Sequence, residues 1–181
     1  MPVNNIIPEP DNKSPTELAA YYFEKGSSPE EVEAIMLKRK IRFPTISQVM
    51  NDFMGKKNIS VERISDLSDI NPSTIYRIMN SERNPTRNAI IRIAMAMPLN
   101  FHETQVLLKS ADCSLLSASR ERDLIIMEGI AQVRDYETVN ETLRKRRAYY
   151  ESIGDKEKAN RMSDLSIKGE GRKKSNTGDQ E

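Results

Sequence analysis

The chain has 181 residues, 37% hydrophobic and 30% charged, with no Trp and a net charge of +1. That length holds one domain with extensions or two small ones, and the near-neutral total names no partner by itself. A single cysteine, Cys113, excludes an intramolecular disulfide and a cysteine-based metal cluster. The single histidine, His102, has no partner at a suggestive spacing. No segment approaches about 18 consecutive apolar residues, and the first residues lack a signal-peptide core, so a soluble, cytoplasmic protein is expected.

Apolar residues recur at three and four rather than two, which predicts an all-α protein. Residues 1–13 read as irregular. Ser14, Pro15 and Glu17 form a capping signal for a first helix that Gly26 would stop. Ser28, Pro29 and Glu31 repeat the signal for a second, running to about Lys40 with Val32, Ile35 and Met36 on its apolar side. A third helix from Thr45 to about Lys57 buries Ile46, Val49, Met50 and Phe53. Ser60 caps the next helix, with Val61, Ile64 and Leu67 inward. Asn71 caps another, with Pro72 at its first position. Thr86 opens a helix with Ile90, Ile93, Ala94 and Met97 inward, ended by Pro98. Phe101 to Ala111 follows, with Val106, Leu107 and Leu108 as candidate core. Further helices are expected from Ser119, carrying Leu124, Ile125 and Ile126, and from Tyr136 to Ser152 or beyond, carrying Val139, Leu143 and Arg144 to Arg147. The polar stretch from Ile167 is expected to be disordered.

Ser60 to Pro85 is the informative stretch. Two short helices meet at a tight corner, where Ile70 plugs the turn between Asp69 and Asn71. On the second helix Ile75, Ile78 and Met79 lie on one side. Pro72, Ser73, Tyr76, Arg77 and Asn80 lie on the other. Such a helix suits a major groove about 12 Å wide: one face anchors it and the other offers short polar side chains and a cation. Between Asn71 and Arg92 the charged residues are Arg77, Arg83, Arg87 and Arg92 against Glu82 alone, so this stretch carries +3. A local excess of that sign suits a phosphate backbone.

Residues of about 46–111 resemble the phage-repressor or Cro-like helix-turn-helix domain of the XRE type. The resemblance rests on Ile64, Ser65, Leu67, Ile70, Ser73 through Met79, the SERNP ending at Pro85, and AIIRIAMAMPLNFHETQVLL. It implies a lambda-repressor-like five-helix domain that binds double-stranded DNA. Carried over residue by residue, base contacts fall on Pro72, Ser73, Thr74, Tyr76 and Arg77. Backbone-phosphate contacts fall near Asn80 and Arg83, with Arg87 as a weaker candidate. Three positions depart from the pattern. Asp69 stands at the corner and Ser81 after the second helix, both where Gly is common, which suggests a different turn. Pro72 stands where Gln or Ser is frequent, so the usual adenine contact is lost and specificity shifts to Ser73, Tyr76 and Arg77.

The expected organisation is an N-terminal arm over 1–43, the DNA-binding domain over 44–112, a C-terminal helical extension over 113–166, and a tail over 167–181. The expected function is a sequence-specific transcriptional repressor acting as a homodimer. Apolar residues of 124–143 or of the arm would supply the dimer surface, and a protein partner could dock on either set of helices. The alternative is an antitoxin-like or adaptor protein that uses these helices for protein–protein contact. No catalytic residue, cofactor or metal is expected. Arg144 to Arg147 read as a solvated helical face.

Overall fold

The computed structural model describes residues 15–38 and 44–166, and all its regular elements are helices. It divides into two units, one up to Phe43 and one from Pro44. Ser14, the expected run to Lys40 and the tail from Ile167 lie outside the described residues.

The first unit holds α1 (Pro15–Glu24) and α2 (Pro29–Lys38), which pack on one another and bury Leu18 and Val32. Ser28 Oγ accepts from Glu31 N while the Glu31 carboxylate accepts from Ser28 N, so the second capping box forms.

The second unit runs α3 (Ile46–Lys57), α4 (Val61–Ser68), α5 (Pro72–Met79), α6 (Arg87–Ala96), α7 (Phe101–Ser110), α8 (Glu121–Ala131), α9 (Tyr136–Ser152) and α10 (Lys156–Arg161). Thr45, Ser60, Asn71, Thr86 and Asn100 each cap the helix they precede. The centre is α6, in which every residue from Ala89 to Ala96 is buried. α4 covers one side of it and α7 another, with α3 against α5 and α7. Ile46, Val49, Met50 and Phe53 are buried as expected.

Three expectations change. On α4 the buried set is Val61, Ile64, Ser65 and Ser68, while Leu67 is 38% exposed. The inner stripe follows i, i+3, i+4 and i+7 from Val61, and two serines occupy it. α8 begins at Glu121 rather than Ser119. It buries Ile126 and Ile130 but leaves Leu124 exposed. The third concerns the boundary after residue 112. One continuous core runs from Ile46 to Leu165, so α8–α10 belong to the same packing unit as the helices before them. Arg144, Lys145, Arg146 and Arg147 form ion pairs with Glu137 and Asp164, Glu141, Glu121 and Glu151.

The sequence did not reveal that α8–α9 repeats α6–α7, offset by 35 residues (87 to 122, 100 to 135, 105 to 140). Asn100 caps α7 and Asp135 caps α9. The intervening turns close alike, through Leu99 N to Ala94 O at 3.0 Å and Arg134 N to Gly129 O at 2.9 Å. Arg87 Nε donates to Ser114 O at 2.7 Å and its terminal nitrogen to Leu115 O. Arg122 Nε donates to Ser163 O at 2.6 Å and its terminal nitrogen to Asp164 O. In both copies an amide side chain then holds the buried leucine that follows: Gln105 binds the Leu116 backbone and Asn140 accepts from Leu165 N.

The two copies also clasp each other. Arg87 pairs with Asp123 at 2.9 Å, and Arg122 donates to Asn88 Oδ1 at 2.8 Å. α6 packs on α9 as α7 packs on α8. This reciprocal pattern is that of an isologous interface, closed here within one chain.

α8 and α9 approach closely at Gly129, since a Cβ there would stand 2.3 Å from Val139 Cγ2. Gly129→Ala is therefore expected to cost about 1–3 kcal/mol by overpacking. Combined with Val139→Ala it should cost less than the sum of the two single changes, as read by urea unfolding.

Candidate nucleic-acid interface

The corner between α4 and α5 is built by backbone conformation and one plug. Asp69 ends α4 in the left-handed region at φ 52°, Ile70 turns inward and is 1% exposed, and Asn71 starts the next helix. Asn71 Oδ1 accepts from Ser73 N at 2.9 Å and from Ser73 Oγ at 2.8 Å. Pro72 at the first helical position costs no hydrogen bond. After α5, Ser81 is also left-handed, at φ 59°, and Glu82 N and Arg83 N both return to Arg77 O. Asp69 and Ser81 thus adopt the conformation glycine favours, and the different turn suggested by their identities does not arise.

Ile75, Ile78 and Met79 are buried and fix α5 to the domain. Outward lie Ser73, Tyr76, Arg77 and Asn80, all exposed, with Thr74 and Arg83 half-buried. Tyr76 is 46% exposed, and its hydroxyl donates to Glu62 Oε1 at 3.1 Å. That bond raises the Tyr76 pKa above its ordinary value. Glu62 is held below the usual carboxylate range by backbone N–H groups at the start of α4, then by Ser60 and Tyr76. Asn80 Nδ2 donates to Glu82 Oε1 at 3.3 Å.

Two of the four arginines behind the +3 stretch are not at this surface. Arg92 is 4% exposed. Its Nε donates to Ser68 O at 2.7 Å and a terminal nitrogen to Asp69 O at 2.8 Å, so it clasps the corner from inside. Its outer side meets the Tyr136 ring at 4.3 Å, and the Asp69 carboxylate lies 3.5 Å away. Arg87, taken from the sequence as a weaker phosphate candidate, is engaged by Ser114 O, Leu115 O and Asp123. Asp123 is 1% exposed and also accepts from Arg120 and Ser117 N. Arg87 is a strut between the two hairpins. Of that stretch, Arg77 and Arg83 against Glu82 remain at the surface beside α5, where the exposed Glu62 of α4 adds a second acid.

A left-handed corner, a capped and anchored second helix, and a polar face pointing away from the core together meet the requirements of a groove-reading element. Residues 44–103 match the family described as "Helix-turn-helix". This segment is a helix-turn-helix domain. The family is one of DNA-binding regulators rather than enzymes, so the chain carries a DNA-binding regulatory domain. The match stops inside α7, leaving α8–α10 and the first unit outside it. No curated protein and no solved structure matches the chain.

Among the described residues, no group of His, Cys, Asp and Glu could hold a metal ion, and no helix is long and apolar enough to cross a membrane. His102 is exposed on α7, and burial raises the Cys113 thiol pKa.

Sequence reasoning missed Glu62 and Arg92. Glu62 lies 14 residues from Tyr76 and gave no local signal. Arg92 did leave one: it is the lone charge inside AIIRIAMA, and a charge within an all-round apolar helix must find buried acceptors. Arg92→Ala is expected to destabilise by about 3 kcal/mol or more, because two charge-assisted hydrogen bonds are lost and two corner carbonyls are left bare. Tyr136→Ala should cost less, about 1 kcal/mol from the cation–π contact together with the packing it removes. Urea midpoints of the two variants check this order.

Proposed function

We propose that the chain is a sequence-specific transcriptional repressor, cytoplasmic and homodimeric, that places α5 in the major groove of double-stranded DNA. The observation that carries this is the outward face of α5, where Ser73, Tyr76 and Arg77 are exposed on a helix fixed by three buried side chains. Ser73, Tyr76 and Arg77 read base edges. Thr74 supports them at the helix start. Asn80 and Arg83 contact phosphates, and Arg87 is left out of the contact set because its guanidinium is engaged within the domain.

Dimerisation follows from need, since one such helix reads too few base pairs for useful discrimination. Ile126, Ile130, Val139 and Leu143 are buried within the chain and do not serve as the dimer surface. The exposed apolar side chains that remain on the second unit include Leu124, Val133, Tyr149 and Ile153.

Selection from randomised duplexes followed by titration tests the reading. Affinity for the selected sequence should fall linearly on a log–log plot against salt. Arg77→Ala should lose roughly 5- to 150-fold on that sequence, with little change on random DNA, as expected for a base contact of about 1–3 kcal/mol. Arg83→Ala should weaken both alike and lower the salt slope by about one. Equal binding of selected and random DNA by the parent, Ser73→Ala and Arg77→Ala proteins would overturn the assignment.

A further inference from the structure

The Tyr76–Glu62 hydrogen bond joins the outward face of α5 to α4, and its polarity determines what the pair offers to DNA. The tyrosine hydroxyl has one proton, and that proton points at Glu62 Oε1 across 3.1 Å. Only lone pairs remain on the hydroxyl for any other partner. An ionised carboxylate is acceptor-only as well. Both side chains are exposed. Because Glu62 is bonded to the outward tyrosine of α5, it lies at the same surface, although it belongs to α4.

An acceptor pair carrying a negative charge discriminates sharply among base edges. Guanine offers O6 and N7, both acceptors. Thymine offers O4 and a methyl group. Adenine sets its N6 donor beside the N7 acceptor. Cytosine alone presents a donor, its N4 amino group, with no acceptor of its own in the major groove. A carboxylate facing guanine or thymine would be desolvated without a partner, which disfavours those bases more strongly than a missing contact would.

We infer that Glu62, held by the Tyr76 hydroxyl, is a specificity-determining residue that selects a cytosine at one position of the DNA site through its N4 amino group. The inference rests on the reading that α5 enters the major groove. It assigns to α4 a base-reading role beyond the contacts of α5, and makes Tyr76 the positioning partner of a carboxylate as well as a contact in its own right. Glu62 also works against nonspecific binding, since its charge opposes phosphates wherever no cytosine is offered.

The test uses the full chain and a randomised duplex pool, then duplexes carrying each of the four bases at the selected positions. The parent should favour cytosine at one position by about tenfold or more. Glu62→Gln, which adds a donor and removes the charge, should cut that preference to about threefold or less while raising affinity for random DNA. Tyr76→Phe should weaken the same preference without transferring it to another position. Urea midpoints of both variants should match the parent, because both side chains are exposed. A cytosine preference that persists unchanged in Glu62→Gln overturns the assignment while leaving the groove reading intact. A parent with no base preference at any position overturns both.

Discussion

The fold of the DNA-binding unit depends on how one buried cation is satisfied. Arg92 sits in the middle of α6, where every neighbouring position is apolar and enclosed. A guanidinium there is stable only if fixed acceptors meet it. The carbonyls of Ser68 and Asp69 do so, and they are free to accept because α4 has just ended and its last carbonyls lack helical partners. The left-handed step at Asp69 then turns the chain, Ile70 closes the corner, and α5 leaves in a fixed direction. Tyr136, the first residue of α9, stacks on the same guanidinium. The corner that orients the outward helix is thus tied to the central helix and to the second hairpin through one side chain.

The second hairpin is held by the same kind of chemistry. In each copy an arginine at the helix start gathers the carbonyls of a following loop, and each arginine also reaches the residue after its counterpart. The residue there differs, Asp123 in one direction and Asn88 in the other, so one contact is an ion pair and the other a charge-assisted hydrogen bond to a neutral amide. Ile126 and Ile130 of α8 and Val139 and Leu143 of α9 are buried in this packing, while Leu124 and Tyr149 stay exposed. What looked like an appendage is part of the core.

Much of the helix-turn-helix was legible because its signals are local. Caps at Thr45, Ser60, Asn71, Thr86 and Asn100, the proline at position 72, and the spacing of Ile75, Ile78 and Met79 each act within one or two turns of helix. Leu67 faces outward because the buried stripe from Val61 falls at i+3, i+4 and i+7, on Ile64, Ser65 and Ser68, whatever their hydrophobicity. The surface charge was overstated because counting arginines cannot distinguish a guanidinium that faces water from one that binds carbonyls 24 or 27 residues away. The repeat escaped notice because α10 lengthens its second copy, and because its matching residues are scattered arginines, amides and leucines rather than a contiguous motif.

The sequence by itself determined the all-helical class, the places where α3 to α7 begin, and the polar outer face of α5. Periodicity, caps and turn residues act over a few residues, and no distant neighbour is needed to read them. The tertiary structure alone decided which charges face outward. It turned Arg87 and Arg92 inward, set Glu62 beside Tyr76, and joined α8–α10 to the domain they follow. Those outcomes depend on which carbonyls, carboxylates and rings meet across tens of residues, and only the packed chain brings them together.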